Sequence, residues 1–351
     1  MTSAGSTPTI KSHSTGWLFC LLGVLCLAAC NSEPPVVQLA GTTMGTTWHV
    51  TYVTSGNDVA QSRLQQGIEE QLAQIDRSMS TYREDSEISR FNATAPNTWF
   101  TVSPGFYSVL STALVVGRTS AGAYDITVAP LVDLWGFGPG PAIDVPPAES
   151  AIARLLAQVG QGNIRRDSAN SQVMKLVDLS LDFSSLAKGY AVDQVANWLA
   201  GQGLSRFLVE VGGEMRMSGM SGRGDPWRVA IEQPESTGRS MATAISLTDV
   251  SVATSGDYRN YFEVDGKRYS HSIDPRTGYP VVHNLVSVTV VHPSAMLADA
   301  WATALTVLGA EQAMAVAQTE ELAVYFIRSV GEDLVHSHTP AFTGYLAEAQ
   351  Q

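Results

Sequence analysis

The chain has 351 residues, of which 44% are hydrophobic and 15% charged, and its formal net charge is −12. This composition indicates a folded globular protein with enough apolar material for one large domain or two modest ones. Lysine and arginine are scattered along an acidic chain without a basic block, which argues against a nucleic-acid partner. A phosphate ligand would therefore have to be held by a local lysine, by backbone amides or by a metal ion.

The first thirty residues have the features of an export signal, and they contain all three cysteines. The apolar run from Trp17 to Leu27 is too short to span a bilayer but is typical of a signal-peptide core. It ends in Leu27-Ala28-Ala29-Cys30, which resembles a bacterial lipobox, so cleavage would leave Cys30 as a lipid-carrying first residue. An ordinary secretory signal is the alternative. If the lipobox is used, no thiol remains for cysteine catalysis.

These features predict three segments. Residues 1–29 form a lipoprotein signal peptide, residues 30–38 form the lipidated cysteine and a tether containing Pro34-Pro35, and residues 39–351 form one folded domain. The tether would hold that domain at a membrane surface.

Periodicity predicts the elements of the domain in chain order. The predicted elements are a half-buried edge strand at 48–53, an amphipathic helix from Gln61 to Met79, a polar loop at 79–92, a helix capped by Ser103 that runs to about Ser120, a helix at 148–159 and a strand at 176–183. They continue with a helix capped by Ser184 or Ser185, strands at 207–211 and 227–232, a hairpin turning at Asp265-Gly266, a strand at 284–291 and a helix from Ala295 to Leu308 capped by Ser294.

Small residues and a lysine follow the predicted strand at 176–183. Ser184, Ser185 and Lys188 lie where a helix would begin, and free amides with the positive end of the helix dipole favour a phosphate there. A simple capped helix with an exposed lysine explains the same segment. The pattern therefore indicates, without requiring, a phosphate cradle.

The helix from Ala295 carries Asp299 and Thr303 four residues apart, which places both on one face. Two hard oxygen ligands near a phosphate cradle suit Mg²⁺, which usually takes few protein ligands. Asp299 lies among alanines and Trp301, and Asp125 also lies beside apolar groups, so each carboxylate needs a partner if it is buried. Taken alone, this spacing is more often structural than metal-binding.

Residues 269–280 place His271, Asp274 and Arg276 within six positions and then turn at proline and glycine. Histidine is the side chain best suited to move a proton near neutral pH, and such turns often carry binding residues. A solvated loop that only ends a strand is the alternative. His271 is the candidate base, with Asp274 as the second choice.

Eight blocks of the chain, taken together and in order, resemble the FAD:protein FMN transferase (ApbE) family. The blocks are T-M-G-T at 43–46, M-S-T-Y-R-E-D-S-E-I-S-R-F-N at 79–92, Y-D-I-T-V-A-P-L-V-D-L-W-G-F-G at 124–138, D-F-S-S-L-A-K-G-Y-A-V-D at 182–193, V-E-V-G-G-E at 209–214, A-T-S-G-D-Y-R-N-Y at 253–261, Y-S-H-S-I-D-P-R-T-G-Y-P at 269–280 and A-D-A-W-A-T-A-L at 298–305.

The resemblance implies a fold and a reaction. The fold would be α+β, a single large two-lobed ApbE-like (T-fold-related) domain with antiparallel-dominated sheets and an FAD site between the lobes. The reaction would use FAD and Mg²⁺ to transfer FMN to a threonine hydroxyl of an acceptor protein, with release of AMP. Such phosphoryl transfer depends mainly on positioning and charge neutralisation.

The resemblance also implies roles for individual residues. The flavin nucleotide would be held by Met44, Tyr82, Ala123, Tyr124, Asp125, Asp182, Lys188, His271 and Ile273. The metal ion would be held by Asp299, Thr303 and an oxygen of Ser185 or its neighbour Ser184. The family often has glycine or threonine at position 185, so that oxygen belongs to either the backbone or the side chain.

Two other functions remain open at this point. Some relatives hydrolyse FAD to FMN and AMP, with water in place of threonine, and this Mg²⁺-dependent pyrophosphatase would need the same cradle. A non-catalytic, periplasmic flavin-binding lipoprotein is the other alternative, although storage needs no base such as His271. The predicted partners are FAD, the membrane through the lipid, and acceptor domains of membrane redox complexes on the periplasmic side of the inner membrane.

Overall fold

The computed structural model describes residues 1–2, 35–56, 59–141, 143–234, 240–256, 261–264 and 267–347, with the side chains of Lys267 and Arg268 left out. Cys30, most of the predicted tether and the predicted Asp265-Gly266 turn lie outside these residues. No helix in the described part of the chain is both long and apolar enough to cross a membrane. The domain from Pro35 onward is one compact unit.

Strands and short helices alternate irregularly along this unit. The strands are β1 Val36–Thr43, β2 Thr46–Val53, β3 Phe100–Thr101, β4 Ile164–Asp167, β5 Gln172–Lys175, β6 Phe207–Val211, β7 Glu214–Ser218, β8 Trp227–Glu232, β9 Met241–Leu247, β10 Ser251–Gly256, β11 Tyr261–Val264, β12 Lys267–Ser270, β13 Leu285–His292, β14 Ala323–Val330 and β15 Asp333–His338. The α-helices are α1 Gln61–Met79, α2 Glu87–Asn92, α3 Pro104–Thr119, α4 Ala129–Leu134, α5 Glu149–Leu156, α6 Ala187–Gly201, α7 Ala295–Leu308 and α8 Ala310–Thr319, and 3₁₀ turns span Gln161–Asn163 and Pro340–Tyr345.

An eight-stranded sheet organises the described residues, in the order β1-β2-β6-β7-β10-β13-β14-β15. Every neighbouring pair in it is antiparallel, as predicted. Smaller sheets are β3-β5-β4, β8-β9 and β11-β12. The α+β class with antiparallel-dominated sheets is therefore confirmed.

Three apolar clusters fill the spaces between these layers. The largest packs helices α1, α3, α6 and α7 against one face of the large sheet. A second lies on the opposite face, beneath the β8-β9 hairpin and the 3₁₀ turn Pro340–Tyr345. A third cluster, built on Leu131, Trp135, Ile152 and Ile273, joins α4 and α5 to the β11-β12 hairpin, and we call this part of the domain the small aromatic lobe.

The helices with the strongest sequence signals form where they were predicted. Helix α1 spans Gln61–Met79 and buries the apolar residues of its predicted face. The hydroxyl oxygen of Ser103 accepts a hydrogen bond from the Phe106 amide at the start of α3. In the same way, Ser294 accepts one from the Leu297 amide at the start of α7. Ser and Thr side chains favour these positions because they satisfy amides that have no partner within the helix.

The prediction that β2 is an edge strand is wrong, because β1 pairs with its outer side over all eight residues. The two strands join through Met44 and Gly45, with φ of 46° and 73°. Positive φ at both central residues is the geometry that a two-residue hairpin favours. Residues 36–38, predicted as tether, therefore belong to the sheet.

The predicted strand at 176–183 is not formed. The side-chain amide of Asn92 donates to the carbonyl oxygen of Leu181 and its oxygen accepts from the Leu181 amide, at 2.9 and 2.8 Å. A side chain thus takes both hydrogen bonds that a neighbouring strand would make. Asn92 therefore holds this segment at Leu181, and no strand of a sheet pairs with it among the described residues.

Three helix predictions also need correction. The loop at 79–92 contains α2, whose first turn is capped by the Ser86 hydroxyl. The helix predicted at 148–159 is shorter and ends at Leu156. No serine side chain caps α6, which begins after Leu186, because a carboxylate from another helix takes that place.

Candidate active site

A cavity of about 420 Å³ lies between the large apolar cluster and the small aromatic lobe. Its volume is within the range of about 300–1,000 Å³ that is common for ligand sites. The structure brings most of the predicted site residues to its wall: Tyr82, Ala123, Tyr124, Asp125, Asp182, Ser185, Lys188, His271, Ile273, Asp299 and Thr303. Met44 and Asp274 are not part of this wall.

The floor of the cavity forms where helices α6 and α7 cross. The Gly189 amide donates to Oδ2 of Asp299 at 3.0 Å, so a carboxylate from α7 satisfies the first turn of α6. Gly189 makes this approach possible, because a Cβ there would lie 2.3 Å from the carbonyl oxygen of Ala295. Asp299 is only 4% exposed, and its hydrogen bond to the Gly189 amide fixes its carboxylate on the floor.

Three charged side chains meet beside this crossing. The ammonium of Lys188 lies 2.6 Å from Oε1 of Glu214, and both groups line the cavity with Asp299. Burial raises the pKa of Glu214 and of Asp299, while Lys188 opposes the rise in both. Burial alone would lower the pKa of Lys188, but Asp299 and Glu214 outweigh it, so this pKa lies above its ordinary value. Lys188 is therefore a firmly charged cation.

Glu214 is the main cavity residue that the sequence interpretation missed. It is 3% exposed, and its Oε2 atom is buried without a hydrogen-bond partner in the described structure. A buried carboxylate oxygen without a partner is costly, which indicates a site that awaits a ligand or cation. The available signal was its place at the end of the V-E-V-G-G-E block.

The ring of Tyr124 forms a buried wall of the cavity. Its hydroxyl lies 2.8 Å from the hydroxyl of Ser185, and burial raises its pKa well above the ordinary value. Burial also raises the pKa of Asp182, whose Oδ1 accepts from the Ser184 amide at 2.7 Å. Asp182 therefore orders the turn that presents Ser185 to the cavity.

Asp125 is satisfied within the protein. Its carboxylate accepts hydrogen bonds from the amide and hydroxyl of Thr127 and from the Gln161 amide, at 2.7 to 3.0 Å. These contacts fix the turn on which Ala123 and Tyr124 lie. The protein itself therefore supplies the hydrogen-bond partners that a carboxylate beside apolar residues needs.

Tyr82 and His271 lie in more open parts of the wall. Tyr82 is on the turn between α1 and α2 and is 73% exposed, so its ring is available to a flat ligand. The His271 ring packs edge-on against Phe137, with ring centroids 6.3 Å apart.

The loop after His271 is held by internal contacts. The carboxylate of Asp274 bonds the Arg276 guanidinium through both oxygens, at 2.9 and 2.8 Å. The indole nitrogen of Trp135 donates to the Gly278 carbonyl oxygen at 2.9 Å. Met44, far along the chain, packs against the large apolar cluster. Neither Asp274 nor Met44 lines the cavity.

The oxygen donors on the floor suit a hard cation. Within the described residues no three His, Cys, Asp or Glu side chains form a group that could hold a metal ion by themselves. The floor instead offers the Asp299 carboxylate and hydroxyls of Thr303, Ser255 and Ser185, with Thr303 and Ser255 3.3 Å apart. One carboxylate with hydroxyl oxygens is the sparse, all-oxygen set that Mg²⁺ takes when a phosphate completes its shell.

Comparison with known proteins gives the class of this fold. The structure superposes on the flavin transferase ApbE from Vibrio cholerae with a TM-score of 0.83 and 39% identity, covering 89% of this chain and 99% of the other. It also superposes on the apo flavinyl transferase ApbE of Pseudomonas stutzeri with a TM-score of 0.81 and 40% identity, covering 88% and 96%. The fold is thus that of the flavin transferases.

The sequence comparisons define the family. The ApbE family model matches residues 44–326. An FAD:protein FMN transferase of Haemophilus influenzae is 43% identical over 324 residues, which cover 91% of this chain and 94% of the relative. This chain belongs to the ApbE family.

Proposed function

We propose that this protein transfers FMN from FAD to a threonine hydroxyl of an acceptor protein in a Mg²⁺-dependent reaction that releases AMP. The observation that carries the proposal is the floor of the cavity. There the Lys188 ammonium, the Asp299 carboxylate and the hydroxyls of Ser185 and Thr303 face one space. A diphosphate needs both a cation and hard oxygen ligands for a metal ion, and this floor supplies both.

The residues present fit a bound Mg²⁺. Asp299, Thr303 and Ser185 would hold the ion, and the buried Oε2 of Glu214, which has no hydrogen-bond partner among the described residues, offers a further oxygen in the same cavity. When bound, Mg²⁺ would neutralise the diphosphate and the AMP leaving group. Lys188 adds a fixed positive charge for the same phosphates.

The walls would orient the nucleotide. The exposed ring of Tyr82 offers a stacking surface for the flavin ring, and the turn carrying Ala123 and Tyr124 is held rigid by Asp125. Stacking and rigid positioning reduce the entropy lost when the reacting groups meet. Met44 and the His271–Ile273 backbone would complete the flavin side of the site.

The transfer itself needs one base. The threonine oxygen attacks the phosphorus of the FMN half, and its proton passes to His271. The bond from that phosphorus to the bridging oxygen breaks, and AMP leaves with that oxygen. His271 is preferred over Asp274 because both carboxylate oxygens of Asp274 already bond Arg276.

A transfer assay tests this function. The full chain in detergent is mixed with FAD, Mg²⁺ and a soluble bacterial domain that accepts FMN on threonine, and AMP is measured alongside. We expect flavin fluorescence that stays with the acceptor through denaturing electrophoresis, with equimolar AMP. AMP and free FMN without a fluorescent band would instead identify an FAD pyrophosphatase, and absence of both products would leave a flavin-binding protein.

We also propose where the protein acts, from the sequence of its N-terminus. The lipobox-like Leu27-Ala28-Ala29-Cys30 supports a lipid anchor on Cys30 that holds the enzyme at the periplasmic side of the inner membrane, near acceptor domains of membrane redox complexes. Mass spectrometry of the mature N-terminus should find acylated Cys30. A Cys30→Ser variant should lose the acyl mass, and an unmodified mature wild-type chain would contradict the anchor.

A further inference from the structure

A second cavity of about 590 Å³ lies on the face of the large sheet opposite helices α6 and α7. One wall consists of residues from five neighbouring strands of that sheet, among them Thr47, Glu210, Met215, Thr254 and Thr289. The opposite wall consists of residues from β8. We call this cavity the groove.

The open edge of β8 faces the groove. Four consecutive residues, Val229 to Glu232, line it. Successive side chains of a strand point to opposite faces, so four consecutive lining residues fit a cavity that runs along the strand edge. In the part of the chain that the structure describes, β8 pairs with β9 and with no other strand. An edge with no strand beside it can add an extended peptide.

The groove and the active-site cavity share two wall residues. Thr254 and Gly256, near the end of β10, border both. Ser255 lies between them and its hydroxyl is 3.3 Å from the hydroxyl of Thr303 on the active-site floor. A chain that follows β8 to the end of β10 would therefore arrive beside the reacting groups.

The groove suits main-chain recognition. The carboxylate of Glu210 already accepts from the Gly213 amide at 2.6 Å and lies 2.6 Å from Nδ1 of His49. Its charge is thus partly engaged before any partner binds. The sheet side of the groove carries small residues at Thr46, Thr47, Gly212 and Gly213. They leave space for a peptide backbone with small side chains.

We propose that the groove binds the segment of the acceptor protein that carries the target threonine. The segment is extended, pairs with the open edge of β8, and passes Thr254 and Gly256 to bring its hydroxyl to the first cavity. This inference rests on the proposed transferase function, because only a protein substrate needs such a path. FAD itself needs only the first cavity.

A bulky side chain at the groove edge tests the path. Ala230 is exposed and lines the groove, whereas exposed Ala315 on α8 does not, so Ala230→Trp and Ala315→Trp form a matched pair. The assay uses a soluble acceptor domain that the wild-type enzyme modifies. We expect Ala230→Trp to lower kcat/KM for this acceptor about tenfold or more, mainly through KM, with FAD affinity unchanged. Ala315→Trp should match the wild type.

Hydrogen exchange provides a readout without turnover. The acceptor domain, with its target threonine replaced by valine, is added to the wild-type enzyme, and we expect slower exchange of the amides in residues 229–231. Unchanged exchange there while the acceptor is bound, or equal labelling by the two tryptophan variants, would overturn the inference. Protection that depends on enzyme concentration alone would assign the groove to a second copy instead. A wild-type enzyme that labels no acceptor would refute the transferase function itself.

Discussion

Two buried aspartates, Asp193 on α6 and Asp299 on α7, each cap the start of the other's helix. Asp193 accepts hydrogen bonds from the Arg216 guanidinium, the Ser294 hydroxyl and the amides of Ala295 and Met296, at 2.7 to 3.1 Å. In the described part of the chain, Asp299 accepts one hydrogen bond, from the Gly189 amide.

The difference predicts that Asp193 is a structural carboxylate and that Asp299 is a functional one. A carboxylate whose hydrogen-bonding capacity is filled by the protein has little left for a ligand. Asp299 keeps capacity, faces the cavity, and has a raised pKa because burial leaves its charge poorly compensated. The two residues occupy nearly equivalent places in one helix pair, so replacing each in turn by asparagine distinguishes their roles.

The largest effect is expected on turnover. Asp299→Asn keeps an oxygen to accept from the Gly189 amide but removes the negative charge. We expect FMN transfer to fall about 10³-fold, because a lost metal ligand removes several kcal/mol of charge stabilisation. Folding should be retained. Steady-state transfer with Mg²⁺ measures this, and wild-type turnover in the variant would remove Asp299 from the metal site.

The matched variant Asp193→Asn should affect folding instead. The side-chain amide of the new asparagine would face hydrogen-bond donors on several sides. Arg216, which is largely buried, would lose its counter-charge. We expect a loss of about 3 kcal/mol in the free energy of unfolding, as is usual when one partner of a buried pair is removed. Urea unfolding measures the loss. Turnover per folded molecule should stay within about twofold of the wild type, and a large loss there would contradict the distinction.

The sequence predicts local features of this region better than distant ones. Helix α7 and its Ser294 cap follow from periodicity and a local hydrogen bond, and both are confirmed. The cap of α6 was wrongly assigned to serine because its real partner, Asp299, lies 110 residues away. Glu214 was missed for the same reason, since only the fold brings it to Lys188.

The fold and family were predictable because the eight sequence blocks extend across the domain. The roles assigned to individual site residues stay predictions. Most of these residues line one cavity, although Met44 and Asp274 do not, and ligand contacts depend on the bound state. The strand wrongly predicted at 176–183 illustrates the limit, because Asn92 holds that segment from 89 residues away.

Metal addition provides a smaller test of the same distinction. Mg²⁺ that binds only the folded state stabilises it by about 2.7 kcal/mol at one hundred times its dissociation constant. We expect this gain in the wild type and in Asp193→Asn but not in Asp299→Asn. Thermal unfolding with and without Mg²⁺ measures it, with Ca²⁺ as a comparison ion. An equal shift in both variants would place the ion elsewhere.

The last prediction concerns pH. In metal-free protein the pKa values of Asp182, Glu214 and Asp299 are raised above their ordinary values, mainly by burial. The folded state therefore holds more protons than the unfolded state between the ordinary carboxyl range and these raised values. Stability must then fall as pH rises through that window, by about 1.4 kcal/mol for each unit by which one pKa is displaced. The positive charge of Lys188 limits the fall.

The two variants should again differ in this measurement. Asp299→Asn removes one of the three groups, so its unfolding temperature with chelator should fall less steeply with pH than that of the wild type. Asp193→Asn keeps all three carboxyl groups. Its unfolding temperature should therefore change with pH as steeply as that of the wild type, but it should be lower throughout. Saturating Mg²⁺ should flatten or reverse the wild-type slope, because the ion favours the deprotonated carboxylate. A metal-free wild type that gains stability as pH rises through this window would show that the site's carboxylates are compensated within the protein, as Asp193 is.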